Sequence, residues 1–252
     1  MKDAKDNFSE QSQGYAKFRP DYPNELYEEI LKHVIGRQTC WDCATGNGQI
    51  ATVLANRFEQ VFATDISKQQ LEKAPQLDNV KYIECRSENT PFQDDSIDLT
   101  IVGQAVHWFD HEHFNREVLR VSKPNGILAL IGYGLMYSDE PFNTALKPFY
   151  EDVLGEYWDP ERKHIDSGYG SIPFPFERIE IDTIFSINVE WSLNQMDGYL
   201  NTWSSVRKFI HQNDSNPVTP FIDSLVQTAV WKREELKTVR FPLFVKLGRV
   251  SG

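Results

Sequence analysis

The run Cys40-Trp41-Asp42-Cys43-Ala44-Thr45-Gly46-Asn47-Gly48-Gln49, with Asp65 closing the next apolar run at Gln60-Val61-Phe62-Ala63-Thr64-Asp65, sets the architecture. A short strand-like run breaks into small residues and then opens a helical pattern at Ile50, Val53, Leu54 and Phe58. The glycines therefore occupy a strand-to-helix turn. Turns of this kind hold nucleotide-type ligands at the carboxyl end of a strand.

The flanking sequence repeats the alternation. Leu26, Tyr27, Ile30, Leu31 and Val34 have helical spacing, with Pro23 at the entry and Gly36 as the stop. Strands are expected at about 39–44, 60–65, 80–85, 96–103 and 127–131. Ser67 is expected to cap a short helix, and another is expected around Phe114 to Val121. Ile179 to Trp191 alternates as a sixth strand, two helical stretches follow around Met196 to Ile210 and Pro220 to Lys232, and Val239 to Val250 closes the chain as a seventh. The expected fold is a single α/β domain over residues 1–252, a seven-stranded, mostly parallel sheet flanked by helices with an antiparallel last strand.

Two segments interrupt this rhythm. Residues 1–22 gather Phe8, Tyr15, Phe18 and Tyr22 around Arg19-Pro20-Asp21, which is too aromatic for an idle tail and is expected to fold back as a lid or as an arm covering core edges. Residues 133–176 carry ten aromatic residues with several prolines and glycines after the fifth strand, the pattern of an inserted cap over a pocket or of an aromatic cluster packed on the sheet.

Composition narrows the function. The net charge of −11, without clustered Lys and Arg, argues against nucleic-acid binding and favours small-molecule chemistry. No apolar run is long enough to cross a bilayer, and Met-Lys-Asp-Ala-Lys-Asp lacks the apolar stretch of a signal peptide, so a cytoplasmic monomer or weak homodimer is expected. The three cysteines suit a reducing compartment. Cys40 and Cys43 form a C-x-x-C, but positions i and i+3 of a strand face opposite sides, so neither redox nor metal chemistry is assigned to them.

Two ligands suit the glycine turn. Gly46-x-Gly48-x-x-Ala51 with Asp65 satisfies a relaxed dinucleotide pattern, which would make the chain an NAD-dependent oxidoreductase. Asp42, Ala44, Gly46 and Gly48 equally fit an acidic-x-Gly-x-Gly-x-Gly loop that binds S-adenosylmethionine. Asp42 would repel an anionic pyrophosphate and attract a sulfonium and an ammonium group, which favours the methyl donor.

Four further segments join that loop in order and spacing: Tyr15-Ala16-Lys17-Phe18-Arg19-Pro20-Asp21-Tyr22-Pro23, Ser87-Glu88-Asn89-Thr90-Pro91-Phe92, Gln104-Ala105-Val106-His107-Trp108-Phe109 and Thr202-Trp203-Ser204-Ser205. With them the chain resembles the class I S-adenosylmethionine-dependent methyltransferases, and within these a small-molecule group similar to trans-aconitate methyltransferase. The resemblance implies that Asp42, Ala44, Gly46 and Gly48 contact the methionine moiety, that Asp65 accepts the ribose hydroxyls, and that Ser87 and Glu88 flank the adenine, Glu88 through its backbone N–H. It further implies that Gln104 lies beside the methionine end and that Tyr15 and Arg19 close over it. Ala44 departs from the usual glycine. A non-catalytic relative that keeps the fold for binding is the remaining alternative within the family.

A sulfonium methyl group is already activated, so the enzyme chiefly aligns the reactants and excludes water. A carboxylate acceptor needs no base; a hydroxyl, amine or carbon acid does, and His107 is the candidate because it follows the fourth strand beside Gln104. Its alternative role is to hold the Trp108 loop by a backbone hydrogen bond. Trp108, Tyr133 and Trp203 are candidate substrate contacts, and Arg162, Lys163, His164, Arg207 and Lys208 are weighed as anchors for an anionic substrate against simple solvation. No metal is assigned to His107, His111 and His113, because they do not share one face.

Overall fold

A computed structural model describes residues 18–251. Tyr15 and the rest of residues 1–17 lie outside them, so the expectation for Tyr15 and most of the lid segment is not addressed by the structure.

The glycine turn sits where the alternation puts it, between β1 (Thr39–Cys43) and α2 (Gln49–Leu54). α1 is Asn24–Leu31, and β2 (Gln60–Asp65), β3 (Val80–Glu84), β4 (Ile97–Gly103) and β5 (Ser122–Tyr133) complete a parallel sheet in the order β3-β2-β1-β4-β5. Between them lie α3 (Lys68–Leu71), capped by the Ser67 hydroxyl accepting the Gln70 N–H, and α4 (His111–Val121), capped by Asp110. β1 and β4 are buried almost throughout because helices cover both faces. Cys40 and Cys43 accordingly enter two different cores, one on each side of the sheet.

The last third departs from expectation. The sheet has eight strands, not seven, because the run from Ile179 to Trp191 is two strands, β6 (Glu177–Ile179) and β7 (Ser186–Trp191), both antiparallel to β8 (Lys237–Val250). Continuing the β6 register past Ile179 would set residue 184 opposite Pro242, where Ser186 stands instead. Two extra residues are therefore extruded, and Ile184 is left 95% exposed. The alternation of apolar residues persists through the slip, which hides it from a periodicity count. β8 is antiparallel to β5, as expected.

The stretch expected as one helix from Met196 to Ile210 is also two, α7 (Leu193–Leu200) and α8 (Ser204–Asn213), separated at Asn201–Trp203; α9 is Val218–Gln227. Ser192 starts α7 with a reciprocal capping box to Gln195. With α5 (Glu140–Pro148) these helices enclose a further core against β7 and β8, where Phe142 packs edge-on to Trp231 and Phe149 stacks on Phe221 at 4.3 Å.

Candidate functional site

Every strand of the parallel sheet ends at one cleft. Past β1, the chain takes left-handed conformations at alternate positions: Ala44 (φ 56°), Gly46 (φ 59°) and Gly48 (φ 84°). This is the physical content of the x-Gly-x-Gly pattern, since only glycine adopts that region at no cost. Ala44 adopts it nonetheless, so the departure from glycine is first a matter of backbone strain. Gly46 faces open space, whereas a Cβ at Gly48 would come within 2.8 Å of the Tyr82 Oη and 3.1 Å of the Ala74 Cβ.

Two carboxylates bracket this loop. Asp65, ending β2, accepts the Gly46 N–H through Oδ2 and the Ser67 N–H through Oδ1, each at 2.9 Å. These bonds fix its plane, and a carboxylate so held retains lone pairs for hydroxyl donors. Asp42, 1% exposed, accepts the Thr45 hydroxyl at 2.5 Å through Oδ2, while its buried Oδ1 has no hydrogen-bond partner. Burial pushes its carboxyl up to about 7, against the lowering effect of the Thr45 hydrogen bond and the nearby Ala51 amide and with a smaller push from Asp65.

The β3 end supplies Ser87 and Glu88. Glu88 is tied on both oxygens, to the Asp110 N–H at 3.1 Å and the Arg86 Nε at 3.2 Å, so its side chain fixes the loop. Thr90, behind it, is held by Glu117 through its N–H at 2.7 Å and its hydroxyl at 2.5 Å. Ser87, Glu88, Asp65, Gly46 and Ala44 line one cavity, with an empty volume of about 890 Å³. Arg19, Asp42, Ala44, Gly46, Gln104 and Tyr133 line a second, and Gln104 also lines a third.

Gln104 (φ 50°) follows β4 and uses its whole side-chain amide to join β4 to β5, accepting the Tyr133 N–H at 2.7 Å and donating to the Tyr133 carbonyl at 3.1 Å. It stands where all three cavities meet. Arg19 crosses the same junction, donating from Nη1 to the Tyr133 hydroxyl and lying 5.7 Å from the Tyr199 ring centre.

The third cavity is lined by His107, Trp108, Tyr133 and Trp203 of the expected contacts, and by Trp158, Arg162 and Tyr199. Trp203 is both wall and core, being 5% exposed and packed with Trp158 and Tyr199. His107 makes no backbone hydrogen bond; that role falls to His111, whose Nε2 lies 3.0 Å from the Val106 carbonyl. His107 is instead buried against Trp108 and Tyr169, with Nδ1 unpartnered. Burial first, then the Arg162 and His164 charges, lower its pKa to about 3, so the ring is neutral.

Tyr199 was not singled out by sequence because it ends α7 one turn before a break that reads as continuous helix. Arg162 reads as a surface cation, yet its side chain is only 18% exposed. Lys208, weighed beside it, is spent on a 2.7 Å ion pair with Asp159.

A family model described as a methyltransferase domain matches residues 41–130. A Dictyostelium discoideum protein named as a methyltransferase is 33% identical over 250 residues, 97% of this chain and 95% of that one. A Saccharomyces cerevisiae protein named as an S-adenosylmethionine-dependent methyltransferase is 26% identical over 82% of this chain and 83% of its own. Among solved structures, an Anaeromyxobacter dehalogenans protein described as a type II methyltransferase superposes with a TM-score of 0.85 at 33% identity, over 93% of this chain and 99% of that one.

Proposed function

The chain belongs to the class I S-adenosylmethionine-dependent methyltransferases, and on that premise we propose that it O-methylates a small carboxylate-bearing molecule bound in the cavity beside Gln104. S-adenosylmethionine is the cofactor, which supplies an activated methyl group on a sulfonium. The residues fit it: the orphaned Asp42 Oδ1 suits a cationic ligand, Gly46 leaves room for it, and Asp65 is fixed to accept hydroxyl donors.

The observation that carries the acceptor reading is the junction at Gln104, which opens both to the cofactor cavities and to an aromatic-walled cavity. Gln104 and Tyr133 hold that junction open at the sheet's carboxyl edge, Trp108 and Trp203 exclude water from it, and Arg19 closes it on the cofactor side. Residues 133–176 act as the cap that completes the acceptor cavity. His107 is neutral and a weak proton acceptor, which suits an oxygen that arrives ionised, as a carboxylate does, better than a hydroxyl that must lose a proton. In that role His107 orients the acceptor by a hydrogen bond.

The test is methyl transfer from radiolabelled S-adenosylmethionine to a panel of small carboxylic acids and phenols. Base-labile methyl esters from the acids are the expected products. Transfer to phenols alone would set this acceptor reading aside.

A further inference from the structure

Arg162 opens α6 (Arg162–Asp166), and its guanidinium is engaged on one edge only. Its Nε donates to the Tyr150 hydroxyl at 2.8 Å and to Asp166 Oδ1 at 3.3 Å, while among the described residues neither Nη group has a hydrogen-bond or ion-pair partner. The plane is fixed from below, with Cζ 4.6 Å from the Trp158 ring centre and 5.3 Å from that of Tyr150. A guanidinium oriented by stacking and by its Nε edge presents the remaining edge as a planar fork of donors, the geometry that pairs with a carboxylate.

Among the described residues no carboxylate reaches that fork. Asp159, on the same cavity, is paired with Lys208 at 2.7 Å; Asp166 is taken by Nε; and His107, for which Arg162 is the largest charged influence, is neutral. Glu161 acts on His107 in the opposite sense to Arg162. The cavity's lining thus carries two cations, Arg19 and Arg162, against one carboxylate, Asp159, in a chain whose net charge is −11.

Arg162 is also separate from the cofactor's own cation. Arg19 lines the methionine cavity as well as the acceptor cavity, whereas Arg162 lines the acceptor cavity alone. Between them runs a wall of rings, with Arg19 5.7 Å from Tyr199, Tyr199 6.0 Å from Trp203, Trp203 5.3 Å from Trp158 and Trp158 4.6 Å from Arg162. An apolar wall of rings tilted by 82° and 52° to one another, ending in a guanidinium with one edge unengaged, fits a molecule with an apolar body and an anionic end.

We infer that Arg162 is the specificity-determining residue of the acceptor site, holding a carboxylate of an acid whose apolar body lies against Trp158 and Trp203. This rests on the methyltransferase reading of the cleft and adds to it the residue that reads the substrate's charge. A neutral analogue of the same shape leaves the fork half satisfied, so selection against it is strong.

The test is binding to the full chain saturated with S-adenosylhomocysteine, read by tryptophan fluorescence. The probes are benzoate and cinnamate and their amides benzamide and cinnamamide. At least one acid is expected to bind about tenfold or more tightly than its amide, and Arg162→Gln is expected to erase the acid-over-amide preference. Arg162→Lys, which keeps the charge but not the fork, should restore only part of it. The inference is overturned if no acid outbinds its amide in the unaltered protein, or if Arg162→Gln leaves the preference intact. S-adenosylhomocysteine binding reports on each variant's fold and on the underlying reading: its absence in the unaltered protein defeats the cofactor assignment, while its presence without acid preference defeats the role of Arg162 alone.

Discussion

Gln104 and Tyr133 are joined like two residues of adjoining strands, except that one of the two peptide groups is replaced by a side-chain amide. The bond pair extends the β4–β5 contact one step beyond Gly103 and leaves Gln104 with φ 50°, at the point where the cavities meet. Gln104→Ala removes the partners of both the N–H and the carbonyl of the buried Tyr133, so a loss of about 1–3 kcal/mol is expected in chemical denaturation. Gln104→Glu keeps the acceptor but cannot donate to the Tyr133 carbonyl, and should lose turnover by tenfold or so while S-adenosylhomocysteine binding changes little. Equal losses in turnover and in S-adenosylhomocysteine affinity would place Gln104 in cofactor binding instead.

Asp42 predicts how cofactor affinity depends on pH. Its folded pKa is raised to about 7, so without ligand the carboxyl is protonated over much of the acid range, and the charge a cation needs appears only as pH rises through 7. S-adenosylhomocysteine affinity, through its ammonium group, should therefore increase from pH 6 to pH 8. Asp42→Asn should bind more weakly and flatten that dependence. An unaltered pH profile in the variant would remove Asp42 from ligand recognition.

The same two buried groups oppose each other in stability. His107 has a lowered folded pKa, so its stabilising contribution is present above the unfolded value near 6.5 and is lost as pH falls towards 3. Asp42 has a raised pKa, and its contribution is greatest below the unfolded value near 3.9 and is lost as pH rises towards 7. Between about pH 4 and 6.5 their slopes cancel. Urea titrations of His107→Asn should then show stability falling with pH in this window, and those of Asp42→Asn should show it rising. Parallel pH profiles for the two variants would contradict the assigned burial effects.

Ala44 offers a direct test of strain. An alanine at φ 56° costs about 1–2 kcal/mol, and glycine there loses about 0.5–1 kcal/mol in unfolded-state entropy. Ala44→Gly is expected to raise the melting temperature slightly or leave it unchanged. A clear fall would mean that the methyl group contributes packing that outweighs the strain.

Much of this arrangement was legible in the sequence because the parallel sheet writes itself in short apolar runs with small or acidic residues at their ends. Asp42, Gly46, Asp65, Ser87 and Gln104 all fall at strand ends, which is why one cleft gathers them. The glycine pattern marked positions 44, 46 and 48 as one turn and Ala44 as its departure, and the structure shows positive φ at all three. The later part of the chain was less transparent for two physical reasons. A two-residue slip between β6 and β7 preserves apolar alternation, and the break between α7 and α8 falls at Asn201–Trp203 without a proline or glycine to mark it. The acceptor wall was hidden more deeply. Trp158 is extended, Arg162 begins a one-turn helix and Tyr199 belongs to another helix, so no periodicity links the three residues that meet there.

The central claim is that the loop from Ala44 to Gly48 and Asp65 forms the S-adenosylmethionine site. Calorimetric titration of S-adenosylhomocysteine into the unaltered protein and into Asp65→Ala at pH 8 addresses it most directly. One-to-one binding is predicted for the first, and loss of a hundredfold or more in affinity for the second, since Asp65 holds the Gly46 turn and is the proposed acceptor of the ribose hydroxyls. Equal affinity in the two proteins, or no binding in the unaltered one, would contradict it.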